Sequence, residues 1–166
     1  MNIVNRTAAP EDLDEIVSIY NQAVLQGGMT ADLSTFSTAD KREWFESHLP
    51  SRYPVFVCDY GSRLGGWLSI SPYRPGRQAL RFTVEVSCYV HSDFRRLKVG
   101  SALLQHAIQW CKASGYRNIF AIVLDTNQPS LAFFRKHGFE TWGHLPGVAE
   151  FPSTGTCGQF YLGLPL

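Results

Sequence analysis

One segment of the sequence constrains the fold more than any other, because it combines an alternating strand, a basic turn and an amphipathic helix. From Leu80 to His91 apolar and polar residues alternate, which predicts a β-strand with one face in a core. The basic turn leads into a helix with apolar residues along one side, and this helix is expected to end at Gly115. Such a helix buries its apolar side against the sheet, so the segment predicts a layered fold of strands and helices.

Hydrophobic periodicity and turn residues predict the remaining elements. Ser37 and Asp40 have the spacing of a capping box, and Asn127 can cap the last helix. The predicted order is β-α-α-β-β-β-α-β-α-β-β, which is an α/β (α+β) fold built on a mixed sheet. Further strands are predicted near residues 3–6, 54–58, 64–71, 119–124, 139–144 and 159–164, with a loose loop between the last two, and further helices from Pro10 to Gly27, from Ser37 through Phe45, and from Asn127 to Gly138.

Length, charge and hydropathy limit the class of protein. At 166 residues the chain is long enough for one buried core, and we expect a single domain over residues 1–166. A formal net charge of +1 does not create the field of a nucleic-acid binder or of a protein that docks on anionic membranes. No apolar run approaches the roughly 20 residues of a membrane span. Since the N-terminus also lacks the features of a signal peptide, we expect a cytoplasmic location.

The sequence argues against metal chemistry and leaves one candidate phosphate site. The four cysteines are far apart and no two histidines have H-x-x-x-H spacing, so we expect no metal site. The usual glycine-rich strings of nucleotide hydrolases, dinucleotide enzymes and serine hydrolases are missing from the sequence. The turn with Arg95, Arg96 and Lys98 opens a helix, and the free N–H groups of a helix N-terminus can hold a pyrophosphate.

At this turn the sequence resembles the GNAT superfamily of acetyl-CoA-dependent N-acetyltransferases, because Arg95-x-x-Lys98-x-Gly100 is similar to the family pattern Gln/Arg-x-x-Gly-x-Gly/Ala. The resemblance covers nearly the whole chain and implies a GNAT-like fold, with a mixed, mostly antiparallel central sheet and helices on both faces. Other blocks are similar to the phosphinothricin (methionine sulfoximine) acetyltransferase group: Ile19-Tyr-Asn-x-Ala-Val24, Trp44-Phe45, Thr83-Val-Glu85, Tyr89-Val-His91, Asp125-x-Asn127-x-x-Ser130 and Gly138-Phe139.

The resemblance implies an enzyme that moves an acetyl group from acetyl-CoA to the primary amine of a small molecule by direct attack. The acceptor would be an amino acid or an analogue such as phosphinothricin or methionine sulfoximine. Lys98 departs from the family because it replaces a glycine, and Phe134 replaces a tyrosine that protonates the departing thiolate in many relatives. The residues that the resemblance assigns to acetyl-CoA are Tyr89, Val90, His91, Arg95, Arg96, Lys98, Val99, Gly100, Ser101, Asn127, Ser130 and Phe134.

Glu85 is the candidate catalytic residue. Glutamate is uncommon in strands, and an attacking ammonium must lose a proton to a base. In the resembling group this glutamate is the general base. Arg74 and Arg81 lead into the same strand and can bind a substrate carboxylate, although a solvated basic loop explains them equally well. Tyr20 is a candidate wall of the substrate pocket, and helix capping explains Asn127 nearly as well as cosubstrate binding does.

Two other functions fit the same sequence. One is the same chemistry on a peptide N-terminus or an antibiotic, because Gly27-Gly28 and the segment after Val148 depart from the group in regions that face substrate in relatives. The other is a non-catalytic acyl-CoA-binding sensor, which the departures at Lys98 and Phe134 leave open. The expected partner is a small-molecule amine, not nucleic acid or a membrane, and because the group tends to dimerise a homodimer is also expected.

Overall fold

The computed structural model describes residues 3–166, and its elements follow the predicted order. The strands in this range are β1 (Ile3–Thr7), β2 (Val55–Tyr60), β3 (Arg63–Pro72), β4 (Thr83–Val90), β5 (Asn118–Leu124), β6 (Glu140–Phe151) and β7 (Gly155–Pro165). The α-helices are α1 (Leu13–Gln26), α2 (Thr38–Glu46), α3 (Val99–Ala113) and α4 (Gln128–Lys136).

The strands form one seven-stranded sheet in the order β1-β2-β3-β4-β5-β7-β6. Every neighbouring pair is antiparallel except β4 and β5, which are parallel. A parallel pair needs a crossover connection, and α3 supplies it. The prediction of a mixed, mostly antiparallel sheet is therefore confirmed.

The parallel pair is short, and the sheet opens beyond it. Register pairs between β4 and β5 run only from Thr83 with Asn118 to Glu85 with Phe120. Past that point β4 stays paired with β3 and β5 stays paired with β7, but β4 and β5 no longer pair with each other. The carboxyl-terminal halves of the two central strands therefore border an opening in the sheet.

The register also shows which backbone groups of β4 point into this opening. The N–H of His91 donates to the carbonyl of Gly65 at 2.9 Å, so odd-numbered residues of β4 turn their polar backbone groups toward β3. Because these groups alternate along a strand, those of Cys88 and Val90 face the opening.

Helices cover both faces of the sheet, as predicted. On one face α3 and α4 bury Leu103, Leu104 and Leu131 against Val84 and Val86 of β4. On the other face α1 packs Ile16 and Ile19 against β2 and β3, with Trp67 at the centre of the contact. Full burial of a leucine or isoleucine side chain stabilises the fold by about 1.5–3 kcal/mol, so these layers hold the central strands in place.

The two predicted helix caps are present. In α2 the N–H of Asp40 donates to Ser37 Oγ at 3.2 Å, and the N–H of Ser37 donates to the Asp40 carboxylate at 2.8 Å. In α4 the N–H of Ser130 donates to Asn127 Oδ1 at 3.2 Å. No helix within residues 3–166 has the length and apolar character that a membrane crossing requires.

The prediction of a loose loop between the last two strands is wrong. Strands β6 and β7 run on into that segment and are joined by residues 152–154 alone, so they form one long hairpin. A register shift between Leu145 and Ala149 absorbs Pro146 and Gly147. Strand β6 is the outer strand of the sheet, and an edge tolerates a proline because the missing N–H would have pointed to solvent.

Candidate active site

Glu85 lies where the central strands separate. It forms the last register pair with Phe120 of β5, and it stands opposite Ser71 of β3. Its side chain is half-buried on the polar face of β4. Burial raises the pKa of the Glu85 carboxyl, because a low-dielectric environment disfavours the charged form. A carboxylate in this position is a stronger base than one in water.

A cavity of about 150 Å³ lies beside Glu85, between helices α1 and α2 and strands β3 and β4. Ser71 and Ser87, which flank Glu85 across and along the sheet, both line it. Its aromatic walls are Tyr20, Trp44, Trp67 and Tyr89, and its other polar side chains are Lys41 and Ser69.

Tyr20, a predicted substrate residue, does line this cavity. Its ring packs edge-on against Tyr89 at 4.9 Å, and its hydroxyl bonds to Thr30 at 2.8 Å and donates to Asp32. Burial raises the pKa of the Tyr20 hydroxyl, so the phenol stays protonated at neutral pH. Tyr20 is thus a fixed wall of the cavity.

Lys41 brings a positive charge to the cavity, and sequence reasoning missed it. Its Nζ lies 3.7 Å from the centre of the Phe36 ring and 5.1 Å from that of Tyr20. Within residues 3–166 it forms no ion pair with a carboxylate. The two rings therefore orient the ammonium by cation–π contact and leave its charge available to a ligand.

The turn between β4 and α3 presents backbone donors. The N–H of Ala102 is the first in the helix to donate to a backbone carbonyl, that of Lys98, at 2.9 Å. The preceding N–H groups, of Val99, Gly100 and Ser101, have no acceptor within the helix. Together with the partial positive charge of a helix N-terminus, they can bind a phosphate group.

Left-handed backbone at Arg96 and Lys98 shapes this turn. Their φ angles are +64° and +67°, values that residues with a β-carbon adopt at a cost of about 1–3 kcal/mol. This conformation gives a physical reason for the glycine that the family pattern has at position 98. The side chains of Arg95, Arg96 and Lys98 are all exposed at the turn, and Arg95 donates to Gln26 at 2.8 Å.

Gly100 is closely packed at the start of α3. A β-carbon there would lie 3.3 Å from a methyl group of Val90 and 3.4 Å from the ring of Phe133. Phe133 is therefore the aromatic residue of α4 next to this turn. Phe134, which the resemblance assigned to the cosubstrate, is only 5% exposed and packs on Phe139 in the core.

Both polar atoms of the Asn127 amide form hydrogen bonds within the protein. Besides capping α4, its Nδ2 donates to the carbonyl of Met29 at 3.3 Å, and the side chain is buried. It ties the loop after α1 to the start of α4. The cap and the bond to Met29 therefore account for both polar atoms of the Asn127 amide. Ser130 lies half-buried in the first turn of α4.

Arg74 and Arg81 lie in the loop between β3 and β4, and neither lines the cavity. Both are exposed. Arg81 donates to the carbonyl of Gln78 at 3.0 Å and stacks over Phe82, whereas Arg74 lies over the ring of Tyr73. The structure thus places them near the Glu85 end of the strands but not at the cavity itself.

Aromatic rings form a second wall beyond Glu85. Tyr73 stacks on Phe120 with ring centres 4.5 Å apart, and Trp142 meets Phe120 edge-on at 5.0 Å. The Trp142 ring lies over Gly163, where a β-carbon would come within 2.1 Å of it. Sequence reasoning missed this wall, because its members come from the β3–β4 loop and from strands β5 and β6.

Cys88 lies on the face of β4 opposite Glu85 and packs against the core, as its alternation predicts. Burial raises the pKa of its thiol to about 12, so it is not a thiolate at neutral pH. Within the described residues, no three or more His, Cys, Asp or Glu side chains are grouped as metal ligands would be.

Comparisons with known proteins show the family of the chain. The family model described as the acetyltransferase (GNAT) family matches residues 14–139. YwnH of Bacillus subtilis is 39% identical over 87% of this chain and 88% of the relative. The L-methionine sulfoximine/L-methionine sulfone acetyltransferase of Pseudomonas aeruginosa is 34% identical over 87% of this chain and 84% of the relative.

A solved structure of an acetyltransferase is also similar to this chain. The phosphinothricin acetyltransferase of Sinorhizobium meliloti, crystallised with acetyl-CoA, superposes with a TM-score of 0.91 at 30% identity and covers 100% of this chain and 89% of that one. The similarity in sequence and the similarity in three dimensions therefore agree. The protein belongs to the GNAT family of acetyltransferases.

Proposed function

We propose that this acetyltransferase transfers the acetyl group of acetyl-CoA to the primary amine of an amino acid or an analogue such as phosphinothricin or methionine sulfoximine, with Glu85 as general base. The observation that carries the proposal is the position of Glu85 at the point where β4 and β5 separate. Glu85 stands at the end of the backbone opening, and its neighbours Ser71 and Ser87 line the cavity between α1 and α2, although Glu85 itself does not.

The opening and the turn after it fit acetyl-CoA. The pantetheine arm would pair with the free backbone edge of β4, over Tyr89 to His91, where Cys88 and Val90 point their polar groups outward. The pyrophosphate would meet the free N–H groups at the start of α3. The exposed side chains of Arg95, Arg96 and Lys98 would add positive charge there.

The reaction then proceeds by direct attack. The amine nitrogen bonds to the thioester carbon, the carbon–sulfur bond breaks, and the proton of the amine passes to Glu85. The backbone N–H of Val90, or that of Cys88, would polarise the thioester carbonyl. Because Phe134 lies in the core and has no hydroxyl, the CoA thiolate departs without a proton from α4 and is protonated by solvent.

The substrate class rests on the relatives and on the charge around the site. Relatives at 31–34% identity are named as acetyltransferases of methionine sulfoximine and methionine sulfone and as an L-amino acid N-acyltransferase of Escherichia coli. Such acceptors carry an anionic group. Lys41 in the cavity would bind it beside the wall at Tyr20, and Arg74 and Arg81, which lie outside the cavity at the strand ends, would bind the anionic group of a substrate that extends toward that end.

A CoA-release assay tests the proposal over a panel of free amino acids, phosphinothricin, methionine sulfoximine and short peptides. We expect turnover with one or more of the free amino acids or analogues. Turnover with peptides alone would favour a peptide N-terminal acetyltransferase. Binding of acetyl-CoA without turnover on any amine would favour a non-catalytic sensor and overturn the proposal.

We also propose a cellular location and an oligomeric state for the enzyme. We expect a cytoplasmic protein that forms a homodimer. Light scattering on the purified protein measures the second expectation directly, and a monomer at micromolar concentration would contradict it.

A further inference from the structure

A histidine outside the predicted site contacts the neighbour of Glu85. His48 lies just after α2, and its Nε2 is 3.2 Å from the hydroxyl oxygen of Ser71. Ser71 in turn is the residue opposite Glu85 in the register of β3 and β4, and it lines the cavity. His48, Ser71 and Glu85 therefore form a continuous series from α2 to the candidate base.

The hydrogen-bond partners fix which way the Ser71 proton points. Nδ1 of His48 lies 2.8 Å from the carbonyl of Trp44, which can only accept, so Nδ1 carries the proton. In the neutral ring Nε2 is then an acceptor, and the Ser71 hydroxyl donates to it. Burial lowers the pKa of His48, which keeps the ring neutral and this arrangement intact at neutral pH.

We propose that His48 is a positioning residue: its Nε2 accepts a hydrogen bond from the Ser71 hydroxyl, so that Ser71 presents only oxygen lone pairs to the cavity, as an acceptor for an N–H of the substrate amine. This inference rests on the proposed function and adds an amine-binding role for Ser71. The amine of the substrate would then meet two acceptors, the Glu85 carboxylate that removes its proton and the Ser71 oxygen that accepts from a second N–H.

The same arrangement keeps the Ser71 hydroxyl from lowering the pKa of Glu85. If Ser71 were free to rotate, its hydroxyl could donate to the Glu85 carboxylate across the strand pair. A donor of this kind stabilises the charged carboxylate, lowers the pKa of Glu85 and weakens it as a base. Because the Ser71 hydroxyl donates to His48, the Ser71 oxygen can accept from the amine and the basicity of Glu85 is unchanged.

The charged groups around this series can be named. Lys41 of α2 lines the cavity, and Arg42 and Glu46 line a second cavity with His48 on the far side of that helix. Arg74 and Arg81 lie in the loop before β4. None of these groups is altered in the variants below, so a change in the pH profile reports on His48 and Ser71.

The test compares four variants, with kcat/KM measured against pH on an accepted amine. His48→Leu removes the acceptor and should lower kcat/KM about tenfold, with the acid limb of the profile moving to lower pH because Ser71 then donates to Glu85. His48→Gln offers an amide oxygen near the position of Nε2 and should stay within about threefold of wild type, with the limb in place. Ser71→Ala should lose about tenfold in kcat/KM without moving the limb.

The double variant His48→Leu/Ser71→Ala decides the cause of the shift, since without the Ser71 hydroxyl the limb should return to its wild-type position. A His48→Leu profile that matches wild type in rate and shape would overturn the proposal, as would a limb that stays shifted in the double variant. Ser71→Ala with full kcat/KM would overturn it even if the His48 variants did not fold. Loss of acetyl-CoA binding by the wild type, or full activity of Glu85→Gln, would instead contradict the proposed function.

Discussion

Glu85 and Phe120 are the last residues at which the two central strands pair, and the candidate base therefore stands at the apex of the opening in the sheet. The position is set by topology, because α3 must carry the chain from β4 to a parallel β5. On one side of this apex lies the cavity with Ser71 and Lys41, and on the other lies the aromatic wall that begins at Phe120. We expect an amine bound there to contact Glu85 and to reach the backbone edge of β4.

The left-handed conformation of Lys98 predicts a gain in stability from Lys98→Gly. Glycine adopts a φ near +67° without the steric cost of a β-carbon, and we expect the free energy of unfolding to rise by about 0.5–1 kcal/mol. Lys98→Ala is the matched control, since it removes the charge but keeps the β-carbon, and it should show no such gain. Urea denaturation measures both, and equal stability of the two variants would contradict the argument.

Gly100 should be sensitive to any side chain. Gly100→Ala places a β-carbon in tight contact with Val90 and Phe133, and Gly100→Asp adds a negative charge beside the free N–H groups of α3. We expect the Kd for acetyl-CoA to rise in both variants, by about tenfold or more in the aspartate variant. Calorimetry separates the steric effect from the charge effect, and wild-type affinity of Gly100→Asp would refute the placement of the pyrophosphate.

Lys41 predicts a charge preference of the acceptor site. Amidating the carboxylate of an accepted amino acid should raise KM more than it lowers kcat, because the lost contact is made in the ground state as well as in the transition state. Lys41→Met should raise KM for the acid and leave KM for the amide unchanged. Equal kinetics on acid and amide with the wild-type enzyme would remove the acidic-substrate hypothesis.

The close approach of Trp142 to Gly163 predicts a local stability defect. In Gly163→Ala the new methyl group overlaps the indole ring, which must move, and we expect a loss of about 1–3 kcal/mol in the free energy of unfolding. Gly143→Ala is the control in the same hairpin, because its nearest neighbour, a carbon of Tyr161, is 3.9 Å away. Equal destabilisation by both substitutions would show that the Trp142 contact is not the cause.

The sequence was sufficient for the features that depend on local pattern. Alternation placed Glu85 and Cys88 on opposite faces of β4, and the caps at Ser37 and Asn127 follow from neighbouring residues. Periodicity and turn residues were also enough to predict the order of the elements.

What the sequence did not reveal depends on how distant elements meet. Ser71 and His48 are 23 residues apart, and only the packing of α2 on β3 brings them together. The choice between Phe133 and Phe134 depends on the rotation of α4 about its axis, which a short helix with apolar residues at both positions leaves open. The sequence predicts a loop at Pro146 and Gly147 because a bulge on an edge strand has the same local composition as a turn.

The pH dependence of Glu85→Gln tests the central claim most directly. In the wild type the raised pKa of Glu85 means that activity falls as the pH drops through that value, because the protonated carboxyl cannot accept the proton of the amine. Glutamine keeps the shape and removes the base, so kcat should fall by about 10² to 10⁴ while acetyl-CoA binding is retained. The residual rate should keep rising with pH as more of the amine is free of its proton. Full kcat with the wild-type pH profile would show that Glu85 is a structural residue of β4 and would contradict its role as the base.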